Sequence, residues 1–173
     1  NNFPFYTMEL LDEGSIDDDL SPRDTDSVLH TCYKIASSLS FLHFFNLIHN
    51  DLKPENVKLI KSQGETIVKL LDLGLTIDFN PDNPDKRLAG TVEYMAPELF
   101  DSKQPDKKSD LYSLGVIIYK LITGKVPYTG DDPLMIISDK LEKPFAPIEN
   151  NGNYPDEFIE LTHRMLSKDA DSR

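Results

Sequence analysis

The sequence has few cysteines, few basic residues and no long apolar run, and each shortage excludes a class of protein. A single cysteine, Cys32, excludes an internal disulfide and suits a reducing compartment. The longest apolar candidate, LGVIIYKLI, is too short to cross a membrane and contains a lysine. The start of the chain, NNFPFYTMEL, has no signal-peptide pattern. We therefore expect a soluble cytoplasmic protein.

Acidic residues outnumber basic ones, with 30 Asp and Glu against 18 Lys and Arg and a net charge of −12. A general nucleic-acid binder carries a basic face, so this balance argues against that class. Acidic surfaces more often serve solubility than recognition, and the charge alone indicates no partner.

Hydrophobic periodicity predicts a mainly α-helical chain with little strand. Three helices are predicted, at residues 24–44, 108–123 and 155–166. Asp24 or Thr25 is a suitable N-cap for the first helix, and Gly124 is a C-terminal stop for the second. Two short β-like runs, VKLI and IVKLL, flank a turn at Gly64. The 173 residues suit one domain.

Two further segments differ from this helical pattern. FYTMEL near the start reads as a strand, and a strand needs a partner, so we expect additional sequence upstream. Residues 76–89 hold two prolines, two asparagines and three aspartates, a composition that predicts a mobile loop.

The segment IHNDLKPENV, residues 48–57, places a carboxylate, a cation and an amide at close offsets. Asp51 is a candidate base, because a carboxylate in a loop can accept the proton of a substrate hydroxyl. Lys53 offers a charge that would neutralise a transferring phosphoryl group. Asn56 and Asp72 offer the oxygen ligands that Mg²⁺ prefers and shares with phosphates. Each residue alone is weak evidence, and their order along the chain matters more.

That order is HNDLKPEN, a hairpin, DLG, a loop and GTVEYMAPE. It resembles the C-terminal lobe of a eukaryotic-type serine/threonine protein kinase, whose catalytic loop, magnesium-binding motif and activation-segment end it matches. KKSDLYSLGVIIYKLITGKVPY is similar to the central helix of that lobe, and MLSKDADSR to its closing pattern. The resemblance covers nearly the whole chain and implies a mainly α fold, a helical bundle with short β-hairpins.

The resemblance also divides the chain into parts. Residues 1–14 would be the last strand of the N-terminal lobe and the hinge, and residues 15–173 the C-terminal lobe. That lobe would hold the catalytic loop at 49–56, the activation segment at 72–98 and the central helix. The family's β-rich N-terminal lobe, with its glycine-rich loop and ATP-binding lysine, is absent from this chain. We expect the chain to require that lobe and to be inactive alone.

The family's catalytic roles fall on five residues. The resemblance implies that Asp51 is the catalytic base and that Lys53 contacts the γ-phosphate, a mark of serine/threonine specificity. Asn56 and Asp72 would be the protein ligands of Mg²⁺. Thr91 would bond to the catalytic aspartate and lysine, which is again a serine/threonine signature.

Four other residues would support the site. Glu98 and Arg173 would form a buried ion pair that holds the activation segment to the lobe. Asp110 would accept backbone N–H groups of the catalytic loop. These three would brace the site without taking part in the chemistry. Glu55 would either receive a basic residue of the substrate or remain a solvated charge.

The ATP pocket would use residues from the start of the chain. Met8 falls at the gatekeeper position, the backbone of Glu9 and Leu11 would bond to the adenine edge, and Ser15 would approach the ribose. Lys58 stands where the family places a leucine or methionine beneath adenine, and its stem would lie against the base with the ammonium in water. The segment DLKPENVKLIKSQGETIVKLLDLGL is similar to that of bacterial members of the family. A bacterial or bacterial-effector origin, with action in the host cytosol, is therefore one interpretation.

The sequence departs from the family pattern at Asn50, where the family has the arginine of H-R-D. That arginine receives the phosphate of a phosphorylated activation loop through charge-assisted bonds, and asparagine cannot supply the charge. We therefore predict activity that does not depend on activation-loop phosphorylation. Leu73 for phenylalanine and Tyr112 for tryptophan are mild changes.

The resemblance predicts a serine/threonine protein kinase that transfers the ATP γ-phosphate to a protein Ser/Thr hydroxyl. The chief alternative is a pseudokinase that acts as a nucleotide-binding or scaffolding module, because fold does not imply function. A small-molecule kinase of related fold ranks lower, because such kinases lack the APE-bounded segment. A purely helical interaction protein would leave the spacing of the magnesium ligands unexplained.

Overall fold

The computed structural model describes Ile16 and residues 24–62, 65–72, 92–101 and 104–173. The described elements are helices α1 (Thr25–Phe44), α2 (Lys107–Thr123), α3 (Pro133–Glu142) and α4 (Asp156–Met165), and strands β1 (Val57–Ser62) and β2 (Glu65–Leu70). Short 3₁₀ helices cover Pro54–Asn56, Pro97–Asp101 and Ala170–Ser172. The prediction of a mainly helical fold with a small hairpin is confirmed. The expected strand at the start of the chain, Gly64 and the loop at 76–89 lie outside the described residues.

Helix α1 begins where the sequence signal predicted. Asp24 is extended and its carboxylate accepts a hydrogen bond from the backbone N–H of Ser27 at 2.8 Å, which satisfies a donor that the helix leaves unpaired. One face of α1 is buried, and it includes Val28, Cys32, Ile35, Leu39 and Leu42. Cys32 is therefore a core residue, as predicted.

Helix α2 forms the centre of the core. Asp106 and Ser109 form a reciprocal capping box at its start, and Gly124 ends it with φ 77°, a left-handed conformation that glycine adopts without strain. Residues 112–119 are all buried, so this central part of α2 is surrounded on every side, and the helix packs against both α1 and α4. At Gly115 a Cβ would lie 2.8 Å from the Cβ of Met165, so only glycine permits this approach of α4.

The two strands form an antiparallel hairpin in which Val57 pairs with Leu70 and Lys58 with Lys69. The backbone N–H of Leu71 continues the pairing by donating to the carbonyl of Asn56 at 2.9 Å. The hairpin therefore brings the chain before β1 and the chain after β2 to the same end of the sheet.

Helix α3 was not predicted from the sequence. It begins after Asp132, whose side chain accepts from the backbone N–H of Leu134, with Pro133 in the first turn. Helix α4 matches its prediction closely, although Pro155 lies just before the helix and not inside it. Within the described ranges, no helix is both long and apolar enough to cross a membrane.

Candidate active site

A buried carboxylate of α2 fixes the loop between α1 and β1. Asp110 accepts hydrogen bonds from the backbone N–H groups of His49 and Asn50, both at 2.9 Å. Nε2 of His43, near the end of α1, lies 2.8 Å from the same carboxylate. Asp110 also lies in the first turn of α2, where the positive end of the helix dipole favours a negative charge. This is the arrangement that the resemblance implied for Asp110.

Asn50 has a left-handed backbone with φ 63°. Among residues other than glycine, asparagine is several-fold enriched in this region, because its short polar side chain tolerates it. Asn50 therefore suits the backbone of the turn that leads from His49 into Asp51, although it lacks the positive charge of the family's arginine.

The two carboxylate oxygens of Asp51 differ in their surroundings. Oδ2 accepts from Nζ of Lys53 at 2.9 Å and from Nδ2 of Asn56 at 3.1 Å. Oδ1 is buried and has no hydrogen-bond partner among the described residues, in a side chain that is only 7% exposed. A buried acceptor without a partner costs about 1–3 kcal/mol, so Oδ1 is poised to gain from a donor such as a substrate hydroxyl.

Asn56 and Asp72 are brought to the same end of the hairpin. The amide nitrogen of Asn56 is used by Asp51, through the side chain and through the backbone carbonyl at 2.7 Å, which leaves the amide oxygen as the atom that can face a cation. Asp72 is exposed and left-handed, with φ 54°, and follows Leu71, whose N–H bonds to the Asn56 carbonyl. One amide oxygen and one carboxylate suit Mg²⁺, which completes its shell with phosphates and water.

His49 contributes no charge to the site. It is fully buried, and neither ring nitrogen has a hydrogen-bond partner among the described residues. Burial lowers the pKa of His49, against the opposing effect of the Asp110 and Asp51 carboxylates. Its imidazole is therefore neutral at neutral pH, and Lys53 is the cation that contacts Asp51.

A second buried cluster holds the segment that ends in APE. Arg173 donates two hydrogen bonds to the carboxylate of Glu98, at 2.7 and 2.8 Å, and Ser109 adds a third at 3.2 Å. Bidentate arginine–carboxylate pairs of this kind are among the stronger polar contacts in proteins. The pair that the resemblance implied for Glu98 and Arg173 is present in the structure.

This segment also forms a wall of the cavity around Asp51. Tyr94 and Met95 line that cavity together with Asn50, Asp51 and residues of α2. The loop that carries the candidate base therefore lies against the residues just before APE.

The other predicted residues are less informative. Glu55 is exposed, and its charge raises the pKa of Glu93, for which burial is the larger cause. Lys58 is half-buried in β1, directly opposite Lys69. Five predicted residues lie outside the described ranges: Met8, Glu9, Leu11, Ser15 and Thr91.

Sequence reasoning missed several residues that shape the site, notably His43, Ser113 and Lys140. Lys140 had a usable signal, because it falls four residues after Ile136 on what proves to be the buried face of α3. A lysine at such a position is unusual enough to indicate a specific partner.

Comparison with known proteins agrees with this geometry. The chain belongs to the protein kinase domain family, whose model matches residues 3–173. It is 32% identical to myosin light chain kinase 2, skeletal/cardiac muscle, of Mus musculus over 172 residues. The matched region covers 96% of this chain and 28% of that protein.

Two further relatives are named as serine/threonine-protein kinases. A probable one from Clostridium perfringens is 32% identical over 143 residues, which is 81% of this chain and 20% of that protein. One from Arabidopsis thaliana is 39% identical over 114 residues, 64% of this chain and 24% of that protein. The chain thus spans less than a third of the length of each of these relatives.

Proposed function

We propose that the protein is a serine/threonine protein kinase that transfers the γ-phosphate of ATP to a Ser or Thr hydroxyl of a protein substrate. The observation that carries this proposal is the asymmetry of Asp51. One of its oxygens is held by Lys53 and Asn56, while the other is buried without a partner among the described residues. Membership of the protein kinase domain family and the names of the relatives support the same class.

Each residue has a separate task in this proposal. Oδ1 of Asp51 accepts the hydrogen bond of the incoming hydroxyl, orients it and takes its proton. Lys53 holds Oδ2 and offers positive charge close to the transferring phosphoryl group. Asn56 and Asp72 would hold Mg²⁺, which would supply positive charge beside the phosphates of ATP and so offset the charge that develops during transfer.

The remaining parts of the ATP site stay predictions. Met8, Glu9, Leu11 and Ser15 would contact the nucleotide from the hinge, and Lys58 would lie beneath adenine. Thr91 would bond to Asp51 and Lys53. The glycine-rich loop and the ATP-binding lysine would come from an N-terminal lobe, so activity belongs to a longer protein than residues 1–173.

We further propose that activity does not require a phosphorylated activation loop. Asn50 has no charge to receive a phosphate, and its backbone N–H is already bonded to Asp110. The loop that carries Asp51 is thus fixed by a permanent carboxylate of α2, without the need for an added phosphate.

The test uses the full-length protein with Mg²⁺-ATP and matched peptide acceptors that carry Ser, Thr or Tyr. We expect transfer to the Ser and Thr peptides and a loss of at least about 100-fold in the Asp51→Asn variant, which removes the base and keeps the shape. Asp131→Asn, at an exposed loop position, is the control and should keep full activity.

The outcome separates the kinase from its chief alternative. Binding of Mg²⁺-ATP without transfer to any acceptor would identify a pseudokinase. Transfer that survives Asp51→Asn would show that another group is the base.

A further inference from the structure

Four consecutive backbone carbonyls, those of residues 92–95, accept hydrogen bonds from side chains of two different helices. Nζ of Lys140 on α3 donates to three of them, the carbonyls of Val92, Glu93 and Met95, at 2.7, 2.6 and 2.8 Å. Oγ of Ser113 on α2 donates to the fourth, that of Tyr94, at 2.9 Å. We call residues 92–95 with these two donors the carbonyl clamp.

Lys140 is a highly unusual lysine, because its side chain is fully buried. Burial lowers its pKa, and the nearby Glu93 carboxylate opposes that change. Three acceptors at short distance require three N–H donors, which the ammonium has and the neutral amine lacks. The charge of Lys140 is thus stabilised by three backbone dipoles, and no shorter or uncharged side chain can satisfy the same three carbonyls.

The ring of Tyr112 connects the clamp to the second fixed point of the segment. Nζ of Lys140 lies 5.1 Å from the ring centroid, and Cζ of Arg173 lies 4.9 Å from it. Arg173 in turn binds Glu98. Two cations that contact one aromatic ring therefore hold the two ends of residues 92–98.

The clamp determines the shape of the surface next to Asp51. Tyr94 and Met95 line the same small cavity as Asp51, so residues 92–95 lie beside the loop that carries the candidate base. We expect a polypeptide that brings its hydroxyl to Asp51 to contact this segment. In the proposed function the nucleotide would contact Asn56, Asp72 and the hinge instead. Loosening the clamp should therefore impair the protein acceptor and leave nucleotide binding intact.

We propose that Lys140 is a positioning residue for the protein substrate, which fixes residues 92–95 as the wall of the acceptor site from helix α3. This inference rests on the proposed kinase function, and it adds a residue from a helix that contributes nothing to the chemistry. The inference also implies that α3 and the end of the activation segment move together, because Lys140 joins them.

The test compares Lys140→Met with Lys143→Met in the full-length protein. Both variants replace a lysine of the same region by methionine, but Lys143 is exposed and pairs only with Asp139 among the described side chains. Lys140→Met should raise the KM for a protein substrate by about tenfold, the effect of losing about one net hydrogen bond of positioning. The KM for ATP should stay within about twofold, and Lys143→Met should change neither constant.

A second readout does not depend on catalysis. Hydrogen–deuterium exchange of the backbone amides of residues 92–98 should be faster in Lys140→Met than in Lys143→Met. If the wild-type protein transfers no phosphate, the proposed function fails, and unchanged exchange in this segment would separately overturn the clamp.

Other results would also overturn the proposal. A parallel change in the KM for ATP and for protein, or no change in either, would show that Lys140 only supports folding or has no role. Should Lys140→Met fail to fold, Ser113→Ala removes the fourth bond more gently. It should raise the KM for protein by about threefold without changing the KM for ATP, and the reverse pattern would refute the clamp.

Discussion

The Glu98–Arg173 pair allows a prediction about the free energy of unfolding of a single variant and of the matching double variant. Both side chains are buried, at 8% and 0% exposure, and they share two short hydrogen bonds. Arg173→Met keeps most of the apolar volume but, within the described part of the chain, leaves the Glu98 carboxylate with Ser109 as its one remaining hydrogen-bond partner. A buried charge left without compensation costs about 3–5 kcal/mol.

Replacing both partners should cost less than replacing one. In Glu98→Gln/Arg173→Met the buried charge is gone, so we expect the double variant to regain about 1–3 kcal/mol relative to Arg173→Met. The fall in melting temperature of the single variant should be about 6–20 °C, at about 2–4 °C per kcal/mol for a domain of this size.

Thermal and urea unfolding of the intact protein measure both effects, with Lys168→Met as an exposed control in the same region. A double variant that is less stable than Arg173→Met would refute the reasoning. It would mean that Glu98 is stabilised by its other contacts and that the loss in Arg173→Met comes from packing.

Three further predictions concern packing, pH and phosphorylation. Gly115→Ala should destabilise the protein by about 1–3 kcal/mol in urea unfolding, because the new Cβ would lie 2.8 Å from Met165, whereas relief of helical glycine alone would stabilise it. Burial lowers the pKa of His163, whose Nε2 accepts a hydrogen bond from the backbone N–H of Ile148. The contribution of His163 to stability is therefore complete above about pH 6.5, and it is lost as the pH falls towards the pKa of His163 in the folded protein. The urea midpoint should therefore fall on acidification, less steeply in His163→Gln, and an identical slope would contradict this assignment. Phosphatase treatment should leave kinase activity within about twofold, and a large loss would contradict the role given to Asn50.

Local signals predicted the helix ends well. Asp24 and Gly124 act through their own backbone neighbours, so their roles are readable from a few adjacent letters. The hairpin followed from alternation and a turn, and the order of motifs led to the family. Helix α3 was missed because PLMIISDKLE mixes apolar residues with a buried lysine, which weakens its periodic signal.

Long-range contacts account for what the sequence could not supply. The three acceptors of Lys140 lie 45–48 residues away along the chain, and no local pattern connects them. The unsatisfied oxygen of Asp51 likewise depends on where Lys53 and Asn56 direct their donors. Spacing predicted which residues would gather at the site, whereas it could not predict which atoms would be left for a substrate.

The burial of residues 112–119 in the middle of α2 has a consequence for how this protein can diversify. A helix with neighbours on every side has no surface on which a substitution is free, so residues 112–119 can change only together with whatever they contact. Ser109, Asp110 and Ser113 of this helix each bond to a different part of the site. Independent substitutions are therefore expected in the loops and in the outer helix α3, whereas a change in the buried part of α2 would displace the residues that it supports.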